Sequence, residues 1–301
     1  MKRIVCTAMI VALACGLAFG QTDKPETKKK AAPKYMCITF DDLPVARVDD
    51  RFDRIVVTDK ILGALEEHEV KAAGFVIGSN IHEHFDLIEQ WLEAGHTLGN
   101  HTYSHPDLNE VPITLYIQDI GRGAVEIEDL LVKYKQKKRY FRYPLLHYGD
   151  TFEKKKAVND YIQEKKYIVA HVSIDNDEYI YNLQFEKLAE TADSATIEQL
   201  GREYVEHILS QIKNAEKLAD EVIGRKVNHI LLLHANRLNA RFLGDLLTAI
   251  EGEGYTFNSL DKALADPLYQ MPDGYVGYKG LSIIERIAKS DPDFMPAREG
   301  K

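Results

Sequence analysis

Cysteine is scarce in this chain, which excludes a fold held together by disulfides. Three cysteines occur in 301 residues, and Cys6 and Cys15 fall within the N-terminal apolar run, so only Cys37 lies in the remainder. A single cysteine cannot form an intrachain disulfide. A chain of this length buries enough apolar surface to be stable without one, so we expect a hydrophobic core to hold the fold.

Positive charge is also in short supply. The formal net charge is −9, and removing Lys2 and Arg3 from the 38 basic residues leaves 36 against 47 acidic residues, a net charge near −11. Such a surface repels phosphate backbones and anionic lipids. We therefore expect no nucleic acid partner, and we interpret the short run Lys28–Lys30 as part of a solvated linker.

Long hydrophobic runs are absent except at the N-terminus. Residues 4–19 follow two basic residues and include about 16 apolar ones, fewer than the roughly 20 that span a bilayer. This pattern is typical of a secretory signal peptide over residues 1–20, with an uncleaved anchor or lipid attachment at Cys15 as alternatives. Residues 21–34 have little to bury and predict a flexible linker. We expect an exported protein, periplasmic or extracellular, with no membrane insertion after signal removal.

From residue 35 onward, short apolar segments alternate with amphipathic ones. The predicted strands are 35–40, 72–77, 97–99, 140–142, 167–174, 229–233 and 255–257. The predicted helices are 52–68, 84–94, 113–134, 153–165, 183–223 and 241–250, and a final one is predicted to be capped by Ser259. Strands that alternate with helices indicate an α/β fold with about seven parallel strands, and the length suits one barrel-sized domain. The helical stretch 183–223 is an unusually long insertion between the fifth and sixth strands.

Charged and imidazole side chains follow strands that are otherwise apolar. These residues are Asp41, Asp42, His101, Arg142, Asp175 and His234. The carboxyl ends of parallel strands in a barrel meet at one face, which is where such enzymes place their chemistry. We therefore expect these side chains to share one site.

Asp42, His101 and His105 are the candidate metal ligands. The two histidines are four residues apart and can chelate one ion, and Pro106 favours a loop or tight turn for them over a helix. Adjacent residues of an extended chain point to opposite sides, so Asp42 can face the metal while Asp41 acts as a base. Two histidines, a carboxylate and an open position suit a catalytic metal. Surface histidines and a solvated Asp-Asp turn are the alternatives.

Two further strand-end residues complete the predicted chemistry. His234 can protonate a leaving group near neutral pH, although a lone histidine in such a place is more often a core residue. Arg142 can hold a catalytic carboxylate in its ionised form, and a salt bridge at the barrel rim is compatible with that role.

The chain resembles the polysaccharide deacetylases of carbohydrate esterase family 4, with their NodB-like domain. Five motifs follow the family order over roughly residues 35–265, and the clearest are Thr39–Asp42, His101–His105, Arg142–Pro144 and Leu233-His234. The resemblance implies a distorted (β/α) barrel over 35–265 and a C-terminal extension, 266–301, packing on it. It also implies that Asp41 is the base, His234 the acid and Arg142 the residue that orients the base. The backbone N–H of Leu145 would help to hold the oxyanion.

The chain departs from the family at several places. Leu43-Pro44 replaces a glycine and narrows the loop beside the metal, and Glu178-Tyr179 stands where Asp-Trp is common. We expect Glu178 to pair with Arg142, with Asp175 as the alternative partner. Tyr179 would give a sugar ring a smaller stacking surface than tryptophan does. The candidate substrate-binding residues are Tyr143, Pro144, His147, Asp175 and Tyr179.

The resemblance implies a metal-dependent hydrolase that removes N-acetyl groups from an amino-sugar polysaccharide, chitin-like or peptidoglycan. It would use one divalent metal ion, with zinc the first choice and cobalt or nickel as alternatives. Other hypotheses are an O-acetyl esterase on a glycan such as acetylated xylan, a catalytically silent glycan-binding protein, and a small-molecule amidohydrolase.

Overall fold

A parallel β-sheet organises the structure. The computed structural model describes residues 33–48, 50–290 and 292, so the predicted signal peptide and nearly all of the predicted linker lie outside the described residues. The strands are β1 (Lys34–Leu43), β2 (Ala73–Val76), β3 (Thr97–Asn100), β4 (Arg139–Phe141), β5 (Tyr167–Val169), β6 (His229–His234) and β7 (Tyr255–Phe257). Lys34, expected in the linker, already belongs to β1. The strand order is β5-β4-β3-β2-β1-β6, with β7 also paired to β1, and every pairing is parallel.

The segment after β5 closes this sheet into a distorted barrel. The sequence predicts one strand over 167–174, but only its first three residues pair with β4. The chain then crosses to the other edge, where Ile174 forms a parallel bridge with Leu231 of β6. The predicted α/β class and the parallel (β/α) barrel are confirmed.

Helices surround the sheet. They are α1 (Arg51–Glu67), α2 (Phe85–Glu93), α3 (Ile113–Lys133), α4 (Phe152–Glu164), α5 (Glu178–Leu188), α6 (Ser194–Val222), α7 (Arg237–Gly252), α8 (Leu260–Leu264) and α9 (Ile283–Ala288). The single helix predicted over 183–223 is two helices, α5 and α6. Asp193 caps the second by accepting a hydrogen bond from the Thr196 N–H (2.8 Å), which favours a new helix start there. No helix within the described ranges is long and apolar enough to cross a membrane.

The central strand β1 is buried on both faces. Met36, Cys37, Ile38 and Phe40 are all completely inaccessible to solvent. Parallel strands covered by helices on both sides are expected to show this continuous burial instead of an alternating pattern. Strands β2 and β6 pair with the carboxyl half of β1, so that end is held firmly where Asp41 and Asp42 lie.

The segment that follows α8 packs on the barrel loops through Arg286. This wholly buried guanidinium donates to Asp273 (Nε to Oδ2, 2.7 Å) and to the Leu281 carbonyl (2.8 Å), and it lies 2.9 Å from His171 Nδ1. Helix α9 begins with a capping box formed by Ser282 and Glu285. The Ser-x-x-Glu spacing of that box is a sequence signal for a helix start, although α9 is not among the helices predicted above.

Candidate active site

Asp42, His101 and His105 meet at the carboxyl end of the sheet. Asp42 Oδ1 lies 3.6 Å from His101 Nε2 and 3.5 Å from His105 Nε2. Among the described residues, Asp42 Oδ1 is a buried oxygen without a hydrogen-bond partner. Buried polar atoms are rarely left unpaired, and a carboxylate oxygen facing two imidazole nitrogens fits a divalent cation. The donor set that the sequence predicts is therefore assembled in a form that a metal can use.

A bulge in β1 turns both aspartates toward this site. The β1–β2 register shifts between Phe40 and Leu43, and Asp42 takes a left-handed backbone conformation with φ of 63°. Asp41 Oδ2 lies 3.7 Å from His101 Nε2, so both carboxylates face the same histidine. The expectation that the two point to opposite sides is wrong, because a bulge breaks the alternation of a regular strand.

The two histidines follow β3 on a loop, as Pro106 predicts. His101 Nδ1 lies 2.9 Å from the Arg142 carbonyl oxygen, which can only accept a hydrogen bond, so Nδ1 carries the proton and Nε2 is left as the ligand atom. Burial lowers the pKa of His101 to about 3 and keeps the ring neutral, the form that binds metals. Asp119 of α3 braces the loop by accepting hydrogen bonds from the N–H groups of Tyr103 (2.9 Å) and Ser104 (2.8 Å).

Arg142 holds Asp41. Its Nη1 lies 3.0 Å and 3.3 Å from the two carboxylate oxygens of Asp41, its Nη2 donates to Thr39 Oγ1 (3.2 Å), and its Nε donates to the Ala170 carbonyl (2.6 Å). Burial raises the pKa of Asp41, and the neighbouring guanidinium opposes that rise. The pairing of an arginine with the candidate base is the one that the sequence predicts.

Glu178 does not pair with Arg142, so that part of the sequence prediction is wrong. Its Oε2 accepts a hydrogen bond from His234 Nδ1 (2.9 Å), and its Oε1 accepts from Asn239 Nδ2 (2.8 Å) and from Asn236 Nδ2. The loop before α5 causes the difference, because Asn176 Nδ2 donates to the Leu232 carbonyl (2.6 Å) and ties the loop to β6. Glu178 therefore lies beside His234 of β6, and β6 is at the opposite side of the sheet from β4, the strand that precedes Arg142.

His234 presents its second nitrogen to the cleft. A carboxylate only accepts hydrogen bonds, so His234 Nδ1 carries a proton and Nε2 faces the other way. Burial alone would lower the pKa of His234, but the hydrogen bond and charge of Glu178, with Asp42 and Asp41, raise it to about 10. The ring is thus held as a proton donor, and sequence reasoning found the histidine without finding its partner.

A cleft of about 550 Å³ surrounds these groups. Four predicted substrate-binding or oxyanion residues line it, namely Leu145, His147, Asp175 and Tyr179. Tyr143 and Pro144, also predicted there, are buried in the wall, and the Tyr143 hydroxyl lies 2.9 Å from Asn159 Oδ1. Asp175 lines the cleft without pairing with Arg142. Sequence reasoning missed Arg47, Asn182, Asn236 and Gly280, which lie in loops, at a helix cap or within α5 and are brought together only by the fold.

Leu145 stands at the mouth of the cleft in an unusual conformation. It is half exposed, with φ of 58°, and Leu146 follows with φ of 52°. Leu145 lies in the first turn of a short 3₁₀ helix (Pro144–Leu146), where backbone N–H groups have no intrahelical partner. The predicted oxyanion donor therefore occurs on a strained turn that borders the cleft.

The comparisons with known proteins agree with this geometry. The sequence model of the polysaccharide deacetylase family matches residues 28–161. A peptidoglycan-N-acetylglucosamine deacetylase of Bacillus cereus is 33% identical over 140 residues, which are 46% of this chain and 44% of that relative's length. These findings support a NodB-like polysaccharide deacetylase of carbohydrate esterase family 4.

Solved structures show the same fold. A polysaccharide deacetylase from Bacillus cereus superimposes with a TM-score of 0.55 at 19% identity, covering 75% of this chain and 91% of that one. A mutant of a pseudoenzyme of carbohydrate esterase family 4 gives a TM-score of 0.53 at 16% identity, covering 77% of this chain and 67% of that one. At such identities the likeness is one of fold, and activity depends on the site itself.

Proposed function

We propose that this chain is an exported, metal-dependent deacetylase that removes N-acetyl groups from an amino-sugar glycan, chitin-like or peptidoglycan. One observation carries the proposal: a candidate metal triad, a buried Asp41–Arg142 pair and a His234–Glu178 pair converge on one cleft. The similarity to a peptidoglycan-N-acetylglucosamine deacetylase supports this substrate class. The chain spans less than half of that relative, so substrate and export are proposals.

Asp42, His101 and His105 would hold one divalent ion, with zinc the first choice and cobalt or nickel as alternatives. A metal bound there would polarise the acetyl carbonyl and lower the pKa of a water molecule. The neutral His101 ring and the unpaired Asp42 oxygen support this assignment.

The remaining steps belong to the chain's own side chains. Asp41, kept ionised and oriented by Arg142, accepts the proton of the attacking water. The Leu145 N–H donates a hydrogen bond to the oxyanion of the tetrahedral intermediate. His234 then donates its Nε2 proton to the departing amine nitrogen while Glu178 stabilises the charged ring, and the products are acetate and a free amino sugar.

The cleft walls offer contacts for a sugar chain. Tyr179 is about half exposed and can stack its ring on a pyranose face, and His147 is oriented by Asp107 (Nδ1 to Oδ1, 2.7 Å). Asp175 is an exposed residue that borders the cleft, and its carboxylate can accept hydrogen bonds from sugar hydroxyls. We propose these three residues as substrate-binding groups.

Acetate release tests the proposal. The purified protein would be given chitin oligomers, peptidoglycan fragments and acetylated xylan, with and without a chelator. We expect release from the N-acetylated substrates, loss with the chelator and recovery on adding zinc, cobalt or nickel. Release from xylan alone would indicate an O-acetyl esterase, and no release from any substrate would indicate a silent glycan-binding protein.

A further inference from the structure

The turn that carries Leu145 is strained and needs support from outside itself. Leu145 and Leu146 both have left-handed backbone conformations, which a branched side chain rarely adopts. Two such residues in succession persist only where the surroundings hold them. The hydrogen bonds of the turn itself are few, from Leu146 N to Tyr143 O (3.2 Å) and from His147 N to Pro144 O (3.1 Å).

Part of that support comes from the C-terminal segment 272–290, more than a hundred residues later in the chain. A Cβ atom added at Gly280 would lie 2.2 Å from the Leu145 carbonyl oxygen and 3.4 Å from His147 Cδ2. The backbone of Gly280 therefore packs directly on the strained peptide. Gly280 needs no unusual φ, so close approach is the reason that only glycine fits here.

The same segment also contacts the residues that follow the turn. The Gly277 N–H donates to the Gly149 carbonyl (3.2 Å), and Asn109 Nδ2 donates to the Tyr278 carbonyl (3.0 Å). The guanidinium of Arg286 lies 3.6 Å from the centre of the Tyr148 ring. Contacts at positions 145, 148 and 149 thus fix the turn from one side.

We propose that the C-terminal segment is a built-in part of the active site, in which Gly280 is a positioning residue that sets the Leu145 peptide for the oxyanion. The inference rests on the proposed function of the Leu145 N–H. A donor that acts only in the transition state affects kcat more than KM, so displacing it should change the two constants unequally.

The test compares Gly280→Ala with Gly63→Ala in the full-length protein. Gly63 is an exposed residue of α1, and nothing would lie within 4 Å of a Cβ added there, so this variant is the control. We expect Gly280→Ala to lower kcat about 10-fold or more at unchanged KM and full metal content, and Gly63→Ala to resemble the unchanged protein. Equal kcat in both variants would overturn the proposal.

A second measurement follows the backbone conformation of the turn directly, by NMR. In protein labelled with ¹⁵N-leucine, the amide signals of Leu145 and Leu146 should shift in Gly280→Ala and stay in place in Gly63→Ala. If the unchanged protein released no acetate, the proposed function would fail, and these signals would still decide whether Gly280 positions the turn. Should Gly280→Ala not fold, Asn109→Ala replaces it, because it removes only the hydrogen bond to Tyr278 O. Unmoved leucine signals in that variant would count against the proposal.

Discussion

At the residue scale, the candidate acid and base are held by different partners. Arg142 contacts Asp41, and Glu178 contacts His234. The first pairing could be predicted, because both residues end strands of one sheet. The second could not, because it depends on where the loop after β5 crosses to β6, and no local sequence pattern encodes that crossing.

Substitution of Asp41 and of Asp42 should have different effects, because one residue is the candidate base and the other a candidate metal ligand. Asp42→Asn should lose the metal, since it weakens one of three protein ligands, and Asp41→Asn should keep the metal and lose rate by about 10²–10⁴. Metal content and acetate release, measured on the same preparations, check both. His101→Ala and His105→Ala serve as reference variants and should lose the metal as well. The opposite behaviour of the two aspartates would mean that their roles are exchanged.

Glu178→Gln should lower kcat by about 10²–10⁴ with the metal still bound. An amide cannot compensate the charge of the His234 imidazolium, and its N–H can face His234 Nδ1 in place of an acceptor. Asp175→Asn is the control, because Asp175 lines the same cleft and lies near His234 without a hydrogen bond to it. Equal losses in the two variants would argue against the His234–Glu178 pair.

At the element scale, strands and helices were predictable where their apolar pattern is strong. The predicted strand 229–233 is β6, and the predicted strand 255–257 is β7. The bulge in β1 was not predictable, because it depends on the register with β2 and leaves no mark in composition. The break between α5 and α6 is short, and the apolar pattern is helical on both sides of it, so the sequence suggested one continuous helix.

Two helical glycines should respond oppositely to alanine. At Gly201 of α6 an added Cβ would lie 2.3 Å from Phe242 Cε1, a buried ring, whereas nothing lies within 4 Å of a Cβ at Gly244 of α7. We expect Gly201→Ala to lower the free energy of unfolding by about 1–3 kcal/mol. Gly244→Ala should raise it by about 0.5–1 kcal/mol through helix propensity. Urea unfolding measures both, and a stabilised Gly201→Ala would show that α6 and α7 are packed less tightly.

At the scale of the whole molecule, stability should fall in mild acid through buried neutral histidines. Burial lowers the pKa of His96 to about 4, and its Nδ1 accepts the Ala72 N–H (3.3 Å). The unfolded chain, with a histidine pKa of about 6.5, binds the proton more readily between pH 4 and 6.5, so stability decreases as pH falls through that window. His229, also near 4, acts with the same sign.

His96→Asn should reduce this acid sensitivity by about 2–3 kcal/mol between pH 7 and pH 4.5. Asparagine can offer an acceptor to the Ala72 N–H and has no proton to gain. His82→Asn, which removes an imidazole that is 74% exposed, is the control. Urea unfolding at the two pH values gives the comparison, and an unchanged pH dependence in His96→Asn would refute the assignment.

The fold as a whole was easier to predict than the site. Alternating strands and helices define a parallel sheet, and parallel sheets bring their carboxyl ends to one face, so the metal triad could be predicted from the strand ends and the four-residue spacing of the two histidines. The support from Gly280 and Arg286 arises from packing between distant parts of the chain. Sequence spacing carries no information about such contacts.

Arg142 holds two neighbours through two chemically separate parts of itself. Its side chain contacts Asp41, and its main-chain carbonyl accepts from His101 Nδ1. Every amino acid has that carbonyl, so replacement of Arg142 removes the first contact and preserves the second in any variant that still folds. A saturation scan should therefore find position 142 intolerant when variants are sorted by turnover, and tolerant when the same variants are sorted by metal uptake.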